Sequence, residues 1–333
     1  MYPKTFSDPE PVSPVHAGRH RTRSSTNRSA DRSDCRHILI LADIEGSSGC
    51  GSYAASSFFT RPWARACEAM SRDVDAVVQA LFHAGVQKVT VQDFHRTAYN
   101  LLPEMIDRRA RLVCGYHRGP VPGLGHPGDA DAVMMIGMHA ASGTPGFLPH
   151  TLTSRLASVR VNGRPLAEVE LFSASLAPFG IYPIFFSGCP VACAQARERI
   201  PGIGTVAIDK QIPPEVLDAH GWRLELARGA VGALRGPAPA PYDPQGPFRA
   251  VIRIRDGAQA AARMADRWGF ERRGATVILH ASDIHLLYDR LVRLCYLSPL
   301  TQQTLPLSLA IFNLMGRWGR HWVRRRLKAG PGH

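Results

Sequence analysis

LADIEGSSG, residues 41–49, ends an apolar run in two carboxylates one residue apart, Asp43 and Glu45, and then turns on Gly46 and Gly49. The run that leads into it, HILILADI, reads as a strand. Side chains at i and i+2 of a strand share a face, so Asp43 and Glu45 converge. Two adjacent buried carboxylates repel unless something positive sits with them. In open α/β sheets the carboxyl ends of strands are where ligands bind. A pair of solvated acids at a turn is the alternative reading of D-x-E on its own.

Working outward, strand-like and helix-like stretches alternate. A helical pattern from about Pro62 to His83, with Thr60 at its start and Gly85 at its end, leads to KVTVQDF and then to DAVMMIGM, 131–138. SVRVNGRPL reads as a β-hairpin turning at Asn162 and Gly163. AEVELFSASLA reads as a helix, IYPIFFSG as a buried strand and CPVACAQARERI as another helix. A Pro/Ala-rich connector, 237–247, precedes two more strands, FRAVIRIR and ATVILHAS, and the capped helix SDIHLLYDRLVRLCYL. The order predicts an α/β fold: a largely parallel sheet flanked by helices, an additional β-hairpin and a smaller α/β C-terminal part.

The chain of 333 residues has 45% hydrophobic and 20% charged residues, an ordinary globular balance. Its seven cysteines are scattered with no CxxC pair, which suits a reduced, cytoplasmic protein. No run suits a secretory signal or a membrane span. The net charge of +13 sits mainly in the ends. Residues 1–36, rich in Ser, Pro and Arg, read as a disordered basic tail. Residues 299–333 read as a basic extension whose segment from about Pro306 to Leu327 is an amphipathic helix. There Leu307, Ile311, Leu314, Trp318 and Trp322 recur at helical spacing beside Arg317, Arg320 and Arg324 to Arg326. Gly316 and Gly319 weaken that helix. Its apolar face suits an anionic membrane surface, a neighbouring subunit or its own domain. Nothing points to a specific nucleic acid.

Two more strand ends carry chemistry. KVTVQDFH finishes at Asp93 and His95, and VMMIGMH at His139. Two histidines on the same rim as two acids predict a metal site, and imidazole with carboxylate suits zinc. Such a ligand set is large enough for two ions, with one carboxylate bridging them. Other residues have plain readings. Glu168 and Glu170 suit solvated acids in a first helical turn. His150 suits an exposed position in a Gly/Pro loop. Asp93 either caps a turn or orients His95. Cys189 and Cys193 suit buried thiols.

Taken together, ADIEG (42–46), QDFH (92–95) with Asn100 and Leu101, IGMHAASGTPGFLPH (136–150) and VNGRPLAE (161–168) resemble the M55 metallopeptidase family, the D-aminopeptidases of DppA type. Weaker similarity continues through IPGIGTVAIDKQI and the helix after Ser282, so the resemblance covers about 37–298. It implies that Asp43 bridges two zinc ions, that Glu45 and His95 complete one, that His139 and Glu168 complete the other, and that His150 is catalytic. It also implies a homo-oligomer with enclosed active sites, acting on short peptides with an N-terminal D-amino acid. After the strand IYPIFFS, Gly188 is followed by Cys189 and Pro190 where the family commonly has acidic residues. The residues alone leave two other functions open: a magnesium-dependent phosphatase or phosphotransferase using Asp43, to which histidines are poorly suited, and an inactive scaffold with basic tails.

Overall fold

The computed structural model describes Arg32 and residues 35–329. Along the chain, β1 (His37–Ala42) leads to α1 (Arg61–His83), β2 (Lys88–Asp93), β3 (Arg111–Val113) and β4 (Ala132–Met138). The hairpin β5 (Leu156–Val161) and β6 (Arg164–Pro165) is followed by α2 (Glu168–Leu176), β7 (Tyr182–Gly188), α3 (Pro190–Arg199), β8 (Gly204–Ala207) and α4 (Ala219–Gly232). The chain then forms β9 (Phe248–Ile254), α5 (Gly257–Ala265), β10 (Glu271–Arg273), β11 (Thr276–Ala281), α6 (Ile284–Tyr296), α7 (Pro299–Gln303) and α8 (Leu305–Lys328).

Two sheets result. Six parallel strands lie in the order β3-β2-β1-β4-β7-β8, and five antiparallel strands in the order β10-β11-β9-β5-β6. The strand sequences explain the division. In HILILA every residue is buried, because Ile38 and Ile40 enter one core with α1 and α4 while Leu39 and Leu41 enter another with α2, α3 and the second sheet. FRAVIRI instead alternates, with Phe248, Ala250, Ile252 and Ile254 buried and Arg249 and Arg253 exposed. That is the pattern of an antiparallel sheet with one wet face. The last strands therefore do not extend the parallel sheet; they pair with the hairpin instead.

Local signals place the long helices. Thr60 caps α1 by accepting the Trp63 N–H at 3.1 Å. Its inner face is Trp63, Ala66, Met70, Val74, Val77 and Leu81, all buried. The disordered reading of residues 1–36 lies largely outside the described residues. Arg32 is among those described, and its guanidinium donates to Pro237 O and Gly202 O.

The parallel sheet reverses direction of growth between β1 and β4. From β1 the chain builds outward through β2 and β3, and from β4 it builds the other way through β7 and β8. The crevice at the carboxyl ends of β1 and β4 is thus the topological switch point, where ligands of open α/β sheets bind. The chain leaving β1 hugs β4 there: Asp43 N–H donates to Ile136 O and Gly46 N–H to Gly137 O at 2.7 Å. A Cβ on Gly137, at φ +76°, would lie 2.2 Å from Asp43 O. Gly137→Ala should therefore destabilise the fold by roughly 3 kcal/mol and displace Asp43, measured by chemical denaturation alongside metal content. Unchanged stability would show that this approach is slack.

Candidate metal centre

Asp43, Glu45, His95, His139 and Glu168 are all buried and meet at the switch point. Asp43 divides its carboxylate between two neighbours. Its Oδ1 lies 3.0 Å from His95 Nδ1, and its Oδ2 lies 3.4 Å from His139 Nε2. Glu45 Oε2 lies 3.0 Å from the same His95 nitrogen, and Glu168 Oε2 lies 3.4 Å from the same His139 nitrogen. Two half-sites share Asp43, which is a physical reason for two acids at one strand end. Ligand atoms of Asp43, Glu45 and His139 lie within 4.8 Å of one another, as do those of His139, His150 and Glu168.

Both imidazoles are oriented from behind. His95 Nε2 lies 2.9 Å from Ser56 O, and His139 Nδ1 lies 3.1 Å from Ala140 O. When those nitrogens carry the N–H, the nitrogen aimed at the carboxylates is the lone-pair nitrogen, the pose of a metal ligand. A lone pair facing two carboxylates calls for a cation between them. Glu45 Oε2 carries the same message, being buried with no hydrogen bond. Nitrogen and oxygen donors in this mixture fit zinc.

Protons answer the same demand when no metal does. Burial together with Glu45 pushes Asp43 up to about 7. Burial works against charge on both rings, yet Glu45 and Asp43 hold His95 well above its ordinary range, and Glu168 and Asp43 push His139 up to about 10. Burial likewise opposes ionisation of Glu45 and Glu168, but His95 and His139 respectively hold them below the usual carboxylate range.

His150 sits against this cluster in a distinct way. Its ring stacks on His139 at 3.7 Å between centroids and 11° between planes, and its Nδ1 lies 2.9 Å from Leu148 O. Burial and the charge of His139 lower its pKa, which favours the uncharged ring. The loop reading is right in placing it between Gly/Pro turns and wrong in exposing it, since the ring is partly buried.

Glu168 opens α2 and accepts the Leu152 N–H at 2.6 Å, so it is a buried cluster member and not a solvated acid. Glu170 is not solvated either: it accepts from Ala167 N–H and Tyr242 Oη–H and lies 3.6 Å from Arg199. Asp93 resolves as the cap of its turn, accepting main-chain N–H groups of His95, Asn100 and Leu101. Cys189 and Cys193 are buried core thiols, and neither cluster contains a cysteine.

Two supporting residues escape the sequence reading. Asp73, buried in α1, accepts both the main-chain and hydroxyl hydrogens of Ser48 and pairs with Arg223 at 3.0 Å. An acid on the apolar face of α1, between Met70 and Val77, is the signal that marks it. Lys210 donates to Ser47 O at 2.7 Å and lies 4.8 Å over the Phe147 ring. Together they clamp the turn after Glu45.

These features define an α/β protein with a candidate double metal centre at the switch point of its parallel sheet. The profile of the M55 peptidases, described as D-aminopeptidases, matches residues 37–292, and the chain belongs to that family of hydrolases. It is 25% identical over 175 residues to the D-aminopeptidase of Bacillus subtilis (strain 168), a match spanning 53% of this chain and 64% of that relative. Its fold is similar, at a TM-score of 0.68 and 22% identity, to the structure described as the Zn-dependent D-aminopeptidase DppA from Bacillus subtilis, a self-compartmentalizing protease. That likeness covers 77% of this chain and 96% of the other. No helix among the described residues is long and apolar enough to cross a membrane.

Proposed function

We propose that this protein is a dinuclear zinc aminopeptidase that removes an N-terminal D-amino acid from short peptides. The observation that carries the reading is the divided carboxylate of Asp43, with an oriented imidazole and a second carboxylate on each side. Asp43, Glu45 and His95 would hold one zinc, and Asp43, His139 and Glu168 the other. Bound there, the pair supplies Lewis acidity and a water acidified enough to act near neutral pH.

The chain's own residues do the rest. The backbone carbonyls of Ser56 and Ala140 fix the planes of His95 and His139. His150, anchored through an Nδ1–H that donates to Leu148 O, presents the Nε2 lone pair as the atom that accepts a proton, and once protonated Nε2 donates a hydrogen bond to developing negative charge. Its stacking on His139 holds the ring against the cluster. No covalent nucleophile is needed. The two imidazole donors argue against a hard-ion phosphatase. The self-compartmentalizing neighbour supports a homo-oligomer for this chain as well, and a cytoplasmic location suits a chain whose described cysteines form no disulfide.

Paired D- and L-alanyl peptides given to zinc-reconstituted protein test the proposal. Zinc bound as a two-metal set, with cleavage of the D-peptide that is lost on chelation, is the expected result. Preference for the L-peptide, or turnover indifferent to chelator, overturns it.

A further inference from the structure

Helix α8 lies beyond residue 292, where the family match ends. One face is fully engaged. Gly316 and Gly319 are buried, and a Cβ on either would fall 2.2 Å from Tyr99 or 2.1 Å from Phe58. Asn313 exchanges hydrogen bonds with both backbone groups of Tyr116, and Arg324 forms two with Glu104. The glycines that weaken this helix in isolation are therefore what lets it dock closely.

The opposite face has a different composition. Leu307, Ile311, Leu314, Met315 and Trp318 fall within one stripe at helical spacing, and their exposure ranges from 48% for Met315 to 70% for Trp318. Apolar side chains normally turn inward, so a three-turn stripe turned outward marks a contact surface. Phe59, 49% exposed, extends it, with its ring edge on Trp322 at 5.7 Å. The stripe then gives way to exposed Arg325, Arg326 and Lys328, with Arg317 beside it, and residues 305–329 contain no Asp or Glu.

We infer that this face of α8 docks on an anionic phospholipid surface, lying in the plane of the interface. Leucine, isoleucine and tryptophan entering the acyl boundary, with arginine and lysine reaching the headgroups, is the composition such a surface binds. Charge complementarity selects this occupant. In a two-fold contact between copies of the chain, the same cations would face each other with no acid on the helix to pair them. Nucleic acid would leave the apolar stripe unused. The helix cannot cross the bilayer, consistent with binding on it.

Sedimentation of the full-length, zinc-loaded protein with phosphatidylglycerol-containing vesicles and with pure phosphatidylcholine vesicles tests the inference. Roughly tenfold more binding to the anionic vesicles, reduced by salt, is expected. Ile311→Glu with Trp318→Glu should abolish it, and Arg325→Glu with Lys328→Glu should reduce it to the phosphatidylcholine level. Both pairs are solvent-facing, so far-UV circular dichroism and peptide hydrolysis in solution should match the unsubstituted protein. No binding to anionic vesicles, or equal binding by the Ile311/Trp318 variant, overturns the inference. A smaller oligomer in that variant by analytical ultracentrifugation, with no vesicle binding by the parent, would identify a second copy as the occupant instead.

Discussion

Asp43→Asn should lose both zinc ions and reduce hydrolysis of a D-alanyl peptide by about 10³-fold or more, the rate equivalent of about 4 kcal/mol. The asparagine keeps a carbonyl oxygen near the Ile44 N–H, which Asp43 Oδ1 accepts at 2.8 Å, but offers no second anionic oxygen toward His139. The fold should persist, because the change removes a buried charge that burial and Glu45 already disfavour. Elemental analysis and thermal denaturation of one preparation check both halves. Retention of both ions would show that the carboxylate is not shared. Retention of one would assign the residue to a single centre.

The second large effect separates His150 from Glu168. His150→Ala should keep near-normal zinc and lose roughly 10²- to 10⁴-fold in kcat with a small change in KM, as expected for a group that moves a proton without holding an ion. Glu168→Ala should lose metal along with rate, because Glu168 Oε2 faces His139 Nε2 inside the cluster. His150 also belongs to a compact donor group with His139 and Glu168, so zinc content is the decisive measurement. Loss of zinc in His150→Ala would make it a ligand. Full turnover in that variant, or full metal in Glu168→Ala, would end this division of roles.

Much of this architecture is legible in the sequence, for reasons that are local. Asp43, Glu45, His95 and His139 each follow directly on an apolar strand, and parallel strands bring their carboxyl ends to one rim whatever the loops do. Glu168 and His150 follow no such rule. Glu168 reaches the cluster because the hairpin of the second sheet delivers the start of α2 to the rim, and His150 because its loop folds back onto Ala140, where its N–H donates at 3.0 Å. Those placements come from packing between sheets, so only the family resemblance signals them. The antiparallel partnership of β9 and β11 was readable in principle, since the arginines of FRAVIRI alternate with buried residues where HILILA has no such break. The outward turn of the α8 stripe was not readable. Periodicity identifies a stripe, but the inner face was decided by two glycines that fit against Tyr99 and Phe58.

The anchored face of α8 has a consequence for local opening. On one side it grips Tyr99, Gly115 and Tyr116, which follow His95 in the chain; on the other it grips Phe58 and, through the Trp322 ring stacked at 5.9 Å, Trp63. Between these lies the bond from His95 to Ser56 O. The loop that presents His95 and the segment that orients it therefore belong to one cooperative unit with the terminal helix, and neither can fray alone. Amides of Ala98, Asn100 and Leu101 should exchange with solvent only when α8 lifts, at a rate set by a helix whose outer face is free to be held from outside.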